Sequence, residues 1–210
     1  MLKLDQLVKQ VEIPLSNTST IKQAFIHRSY LNEAKKPTKS NERLEFLGDS
    51  ILSYLVSEYL YKNYPQLPEG ELTNLRSSIV KTSMLATVAQ NLNLGQYLMM
   101  SRGEEESGGR ANPSILADTF EAFLGAIYLD LGITVVTKIL NKFLFPNLAN
   151  ILKEKLYKDA KSNFQEVVQE VSKISPIYKV ASEKGPDHAK QFTIAVYVGN
   201  KLWGTGTGKS

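Results

Sequence analysis

The chain has 210 residues, 42% of them apolar, which is enough for a real core and excludes disorder as the starting reading. It has no cysteine, so disulfide staples and thiolate metal sites are excluded, and any metal must be held by oxygen or by the two histidines. The formal charge of +4 is too small an excess to establish nucleic-acid binding by itself; its distribution says more, because residues 157–210 carry eight Lys/Arg against five Asp/Glu and leave 17 against 16 for residues 1–156.

The start, MLKLDQLVKQVEI, alternates charged and apolar residues and lacks the unbroken apolar core and small-residue cleavage site of a secretory signal. No segment reaches the ~20 apolar residues of a membrane span. A soluble, cytoplasmic protein with no membrane partner and no organic cofactor is the expectation. Apolar spacing predicts helices near Lys3–Val11, Thr20–Phe25, Glu42–Asn63, Glu71–Leu92, Pro113–Leu131 and Val135–Lys155, with breaks inside some of them. Two polar loops separate these, Asn32–Ser40 and Ser101–Asn112; the second, SRGEEESGGRAN, reads as a solvated connector without chemistry. His27 and Tyr30 read as a packed, hydrogen-bonded cluster rather than a catalytic base.

After Lys158 the pattern changes. Asn163–Ser172 reads as a short helix, and Ile177–Glu183, Lys190–Val198 and Lys201–Thr205 as strands. Along the middle strand Phe192, Ile194, Val196 and Val198 alternate with Thr193, Ala195 and Tyr197, the period of a sheet with one buried face. Gly199-Asn200 predicts a tight hairpin turn. The expected fold is therefore mainly α: an all-helical domain over residues 1–156, then a small α+β domain over 157–210 in the order α-β-β-β. A helix to cover the sheet does not follow within the sequence, which ends GTGTGKS.

The chemistry concentrates in NERLEFLGDS, residues 41–50. Its acids Glu42, Glu45 and Asp49 are spaced i, i+3 and i+7, which on a helix places them within roughly 60° of one another. Leu44, Leu47, Ile51 and Leu55 fall on the other side. Ser40 or Asn41 is the expected N-cap, and capping or solvated acids are the plain alternative for the triplet. Two observations weigh against that alternative. Asp118 and Glu121 repeat the i, i+3 spacing inside ILADTFEAFLGAIYLD, so apolar that it must be largely buried, where isolated carboxylates are costly and a shared divalent cation offsets the cost. Gly48 and Gly125 each interrupt a helix interior, at about 1 kcal/mol relative to alanine, which points to two close-packed backbones. Two touching helices would then line a cage of carboxylates suited to Mg²⁺ or Mn²⁺ and to activating a water for attack on a phosphodiester.

NERLEFLGDS resembles the signature of the ribonuclease III family, and the resemblance extends through AFIHRSYLNE at 24–33, PEGELTNLRSSIVK at 68–81 and GGRANPSILADTFEAFLGAIYLD at 108–130. It implies an all-helical catalytic domain and a Mg²⁺-dependent double-strand-specific endoribonuclease, with Mn²⁺ able to substitute. It further implies that Glu45, Asp49, Asp118 and Glu121 are metal ligands, with Asp49 and Glu121 catalytically indispensable, and that Glu42 serves substrate positioning or structural hydrogen bonding; Glu69 and Glu71 sit near another acidic, substrate-positioning place of the family, with a helix-start residue as the plain alternative for either. Homodimerisation is implied too, as are 5′-phosphate and 3′-hydroxyl staggered ends and a part in ribosomal RNA processing; Phe46 points away from the core stripe, as a residue reaching across a dimer interface would, with packing inside its own subunit as the equal alternative.

The basic tail resembles a double-stranded RNA-binding domain, with GPDH at 185–188 between its first two strands. Such domains read A-form shape through minor-groove hydroxyls and phosphates. On that resemblance Gln165, Glu166, His188 and Lys209 contact RNA, while the missing lysine-rich final helix implies a weakly stable domain with reduced, salt-sensitive affinity. Two other classes compete, a non-catalytic RNA-binding scaffold and a small-molecule phosphohydrolase. The four retained acids oppose the first and the basic tail opposes the second.

Overall fold

Residues three and four apart repeat as leucine, isoleucine, valine and phenylalanine through the first two-thirds of the chain, and they wind it into helices that bury one another. The computed structural model describes residues 4–12, 19–153, 160–186 and 189–209, and the chain divides into two units, residues 1–157 and 158–210. The first unit contains α1 (Asp5–Val11), α2 (Ser19–Gln23), α3 (Glu42–Asn63), α4 (Glu69–Ile79) and α5 (Thr82–Asn91). These are followed by α6 (Arg102–Glu106), α7 (Pro113–Leu131), α8 (Ile133–Phe143) and α9 (Leu148–Lys153).

Helix α7 is the axis of this unit. Pro113 occupies its first turn, where a missing amide costs nothing, and Asn112 caps it by accepting from the amides of Ser114 at 2.9 Å and Ile115 at 3.4 Å. Gly132, at φ 81, stops it. It packs against α2, α3, α5 and α8, so Phe120, Phe123, Leu124 and Ile127 are fully enclosed. Phe25 joins them, its ring 5.9 Å from that of Phe123 and 5.6 Å from that of Tyr97. Each such side chain contributes about 1.5–3 kcal/mol on burial.

As the expectation of internal breaks allowed, the stretch 71–92 is two helices, α4 and α5, parted at Lys81, whose extended backbone (φ −61, ψ 146) restarts the helix without a Pro or Gly signal. Two expectations need correction. The connector 101–112 is structured: Ser101 caps α6 by accepting from the Glu104 amide at 3.3 Å. The Arg110 guanidinium clamps it, donating to the carbonyls of Gly95 at 2.9 Å and Leu98 at 2.8 Å. Neither Ser40 nor Asn41 caps α3 with its side chain. Asn41 is buried in a helical conformation and donates through Nδ2 to the Ala24 carbonyl at 3.3 Å, while the Ser40 hydroxyl donates to Glu42 at 2.8 Å.

The second unit consists of α10 (Ala160–Ser172) and an antiparallel sheet of β1 (Ile177–Lys184), β2 (Gln191–Val198) and β3 (Lys201–Gly208) in that order. Tyr178 faces Val196 across β1 and β2, and Val198 pairs with Lys201 at the hairpin. Gly199 alone of the two turn residues has positive φ (59), the pattern of a type II′ turn. Only Val168, Ala195 and Val198 are buried hydrophobics among the described residues of this unit; Phe192, Ile194 and Val196 are half-covered and β1 is almost wholly exposed.

Candidate metal centre

Helices α3 and α7 meet at two glycines. A Cβ added at Gly48 would overlap the backbone carbonyl of Glu121 and lie 3.1 Å from the Gly125 amide; one added at Gly125 would overlap the carbonyl of Leu44. Any larger residue at either position drives the helices apart. Backbone contact at this point brings the acids of both helices onto one seam, while Leu44, Ile51 and Leu55 are buried and Leu47 is partly buried in the core.

On that seam Glu45, Asp118 and Glu121 each offer a carboxylate oxygen, and these oxygens lie within 4.8 Å of one another. Burial raises the proton affinity of all three, and repulsion between carboxylates adds to it at Glu45 and Glu121. Burial, followed by repulsion from Asp49, Asp118 and Glu45, pushes Glu121 up to about 8. Glu45 is raised first by burial and then by Asp118, Glu42 and Asp49. Asp118 is raised by burial, with the charge of His27 opposing. All donors are hard oxygens held close together, so the set fits a divalent cation, whose charge would reverse these shifts.

The other sequence-derived positions fall around this trio. Asp49, one turn beyond Glu45, is exposed and stands outside the tight group, yet it is the largest charge acting on Glu121. Glu42 is exposed at the start of α3 and lies 3.5 Å from Arg28. Glu69 opens α4 and accepts from the Thr73 hydroxyl at 2.9 Å, outside the trio. Phe46, between Glu45 and the core residue Leu47, is 78% exposed. The hydrogen-bonded reading of His27 agrees with its Nδ1 accepting from the Ser29 amide at 3.3 Å and lying 2.8 Å from the Ser29 hydroxyl. Sequence reasoning did not foresee that the charge of His27 acts on Asp118, because only tertiary packing brings the two near.

The sequence matches the Ribonuclease-III-like family over residues 17–148. It is 43% identical to Ribonuclease 3 of Borreliella burgdorferi over 208 residues, covering 99% of this chain and 85% of that protein. Ribonuclease 3 of Oceanobacillus iheyensis is 44% identical over 205 residues, covering 97% and 90%. The chain belongs to the ribonuclease III family. The fold agrees: the nuclease domain of ribonuclease III from Campylobacter jejuni superposes with a TM-score of 0.64 at 35% identity, covering 69% of this chain and 98% of that one. It is a double-strand-specific endoribonuclease that binds a divalent metal.

Residues 160–210 match the double-stranded RNA binding motif, so the second unit is the part of this ribonuclease III that binds duplex RNA. Gln165 is half-buried on α10 and Lys209 is exposed just after β3. The side chain of Glu166 and the whole of His188 lie outside the described residues. No helix among the described residues is long and apolar enough to cross a membrane.

Proposed function

We propose that this enzyme cuts duplex RNA at a Mg²⁺ centre held by Glu45, Asp118 and Glu121, to which Asp49 adds a fourth carboxylate from its exposed side. Mn²⁺ would serve in its place, since both are hard cations that accept oxygen ligands. When bound, the cation supplies an activated water for in-line attack and neutralises the leaving oxygen. The carboxylates of Asp49 and Glu121 orient that water and are indispensable, and Glu42 and Glu69 position the substrate backbone. Hydrolysis breaks the P–O3′ bond, giving 5′-phosphate and 3′-hydroxyl ends with a short 3′ stagger. The carrying observation is the trio of oxygens within 4.8 Å on helices whose approach only glycine permits.

In this reading residues 1–156 act as the endonuclease domain and 157–210 as the RNA-binding domain, with Gln165, Glu166, His188 and Lys209 contacting minor-groove hydroxyls and phosphates. Two chains pair through α3, with Phe46 seated in the partner. The 78% exposure of Phe46 supports this, and the Campylobacter jejuni nuclease domain has a region involved in dimer formation. The site of action is the cytoplasm, on ribosomal and other structured RNA precursors.

Incubating the purified protein with long duplex RNA tests the chemistry. Cleavage with Mg²⁺ or Mn²⁺ and none with chelator is expected; cutting that persists in chelator would remove the metal from the reaction. Sedimentation of Phe46→Ala tests the assembly. A shift towards monomer is expected, and an unchanged dimer would move the interface elsewhere.

A further inference from the structure

Positive charge in the nearly balanced catalytic unit is unevenly spread. Residues 33–40, EAKKPTKS, place Lys35, Lys36 and Lys39 within five positions, against a single acid, Glu33. All three lysines are exposed. Arg28, Lys62, Arg102, Arg110 and Lys142 are each tied to a carboxylate, whereas none of these three enters an ion pair among the described residues.

The segment is pinned beside the acidic seam at both ends. Upstream it leaves the short 3₁₀ turn Arg28–Asn32, which follows His27. Downstream the Ser40 carbonyl accepts from Gln23 Nε2 at 2.8 Å and the Asn41 amide donates to the Ile26 carbonyl at 2.8 Å. The pair Arg28–Glu42, at 3.5 Å, joins the two ends. A polar cleft of about 450 Å³ opens there, with His27, Arg28, Ser29, Asn32, Glu42 and Glu104 in its walls. Chain length then limits how far the lysines can stray: at no more than ~3.6 Å per residue, the Cα of Lys39 lies within about 11 Å of that of Glu42.

A seam of five carboxylates, even with one divalent cation, stays net negative and repels the phosphates on either side of the one being cut. Positive groups within roughly a Debye length, ~8–10 Å in ordinary salt, offset that repulsion, and lysine ammonium groups on flexible stems suit phosphates of any sequence. We propose that Lys35, Lys36 and Lys39 form a phosphate-gripping edge of the catalytic unit, holding the duplex backbone beside the acidic seam separately from the RNA-binding unit. The inference rests on duplex RNA being the substrate.

The test compares the full chain with its Lys35→Ala/Lys36→Ala/Lys39→Ala and Lys35→Arg/Lys36→Arg/Lys39→Arg variants, measuring duplex RNA affinity in chelator across a salt series. The alanine variant is expected to flatten the slope of log K against log salt by roughly 2 to 3, so that the wild type loses roughly 40-fold more affinity than the variant between 50 and 200 mM salt. The arginine variant keeps the wild-type slope. With Mg²⁺ present, the alanine variant raises KM and leaves kcat at saturating RNA within about twofold, since the contacts hold ground state and transition state alike. A wild type that binds and cuts while the alanine variant keeps its slope and KM overturns this inference alone. A wild type that neither binds nor cuts duplex RNA overturns it together with the function on which it rests.

Discussion

The two units manage burial in opposite ways. In the first, α7 is enclosed by four other helices and its partner α3 touches it backbone to backbone at Gly48 and Gly125. In the second, one helix and three strands bury Val168, Ala195 and Val198, while Phe192, Ile194 and Val196 are only half-covered and β1 is almost wholly exposed. Catalysis needs carboxylates held to within a fraction of an ångström against their own repulsion, and only a deep core supplies that restraint. Reading the shape of a duplex needs exposed groups at the right intervals, which a thin, open layer provides.

The largest break in that comparison is expected from Glu121→Gln and Asp49→Asn. Each should lower cleavage roughly a thousandfold or more, several kcal/mol of lost charge stabilisation, while duplex binding in a gel-shift or anisotropy assay stays measurable because the second unit is untouched. Near-normal rates in either variant would move the catalytic role to other groups. Next comes Gly48→Ala. Its methyl overlaps the Glu121 carbonyl, so a loss of about 3 kcal/mol and roughly 10 °C in Tm is expected, with weakened metal binding by calorimetry. An unchanged Tm would show that the helices part freely.

A pH series sharpens the contrast further. Glu121, raised to about 8 against an ordinary 4.5, holds a proton in the folded, metal-free state that the unfolded chain has already released. Its contribution to metal-free stability should therefore be full below pH 4.5 and be lost as the pH rises through about 8. Added Mg²⁺ should raise Tm more at pH 8 than at pH 5.5, since cation and proton compete for the same oxygens. A Mg²⁺-induced rise in Tm independent of pH would separate Glu121 from the site. The smallest effect is a difference between probes. Trp203, the single tryptophan, sits in the second unit with its ring 5.9 Å from that of Phe164. Its fluorescence should change at a urea concentration lower, by on the order of 1 M, than the helical signal dominated by the first unit. Coincident transitions would mean that the two units unfold as one.

Much of the metal centre was legible in the sequence because it depends on local periodicity. The bounds of α7 follow from Asn112, Pro113 and Gly132 and those of α3 from apolar spacing, and the i, i+3 acids on each announce themselves as one-sided. Gly48 and Gly125 foretold the contact between the helices, since neither has a local reason to sit in a helix interior. Other features depend on partners distant in the chain. The side chain of Asn41 turns from the expected cap to the Ala24 carbonyl, and Arg110 reaches back to Gly95 and Leu98 to shape a segment that reads as a solvated connector. Asp49 was expected inside the cage and stands at its rim, because helical spacing fixes the direction of a side chain and leaves its distance to the neighbouring helix open.

The glycine contact has a thermodynamic corollary. Because the two helices touch backbone to backbone, folding itself assembles a binding jaw under electrostatic load, which a proton on Glu121 or an arriving cation relieves. Capture of the ion then relieves tension instead of demanding rearrangement. Occupancy and resistance to unfolding should consequently rise together in a metal titration, two readings of a single equilibrium.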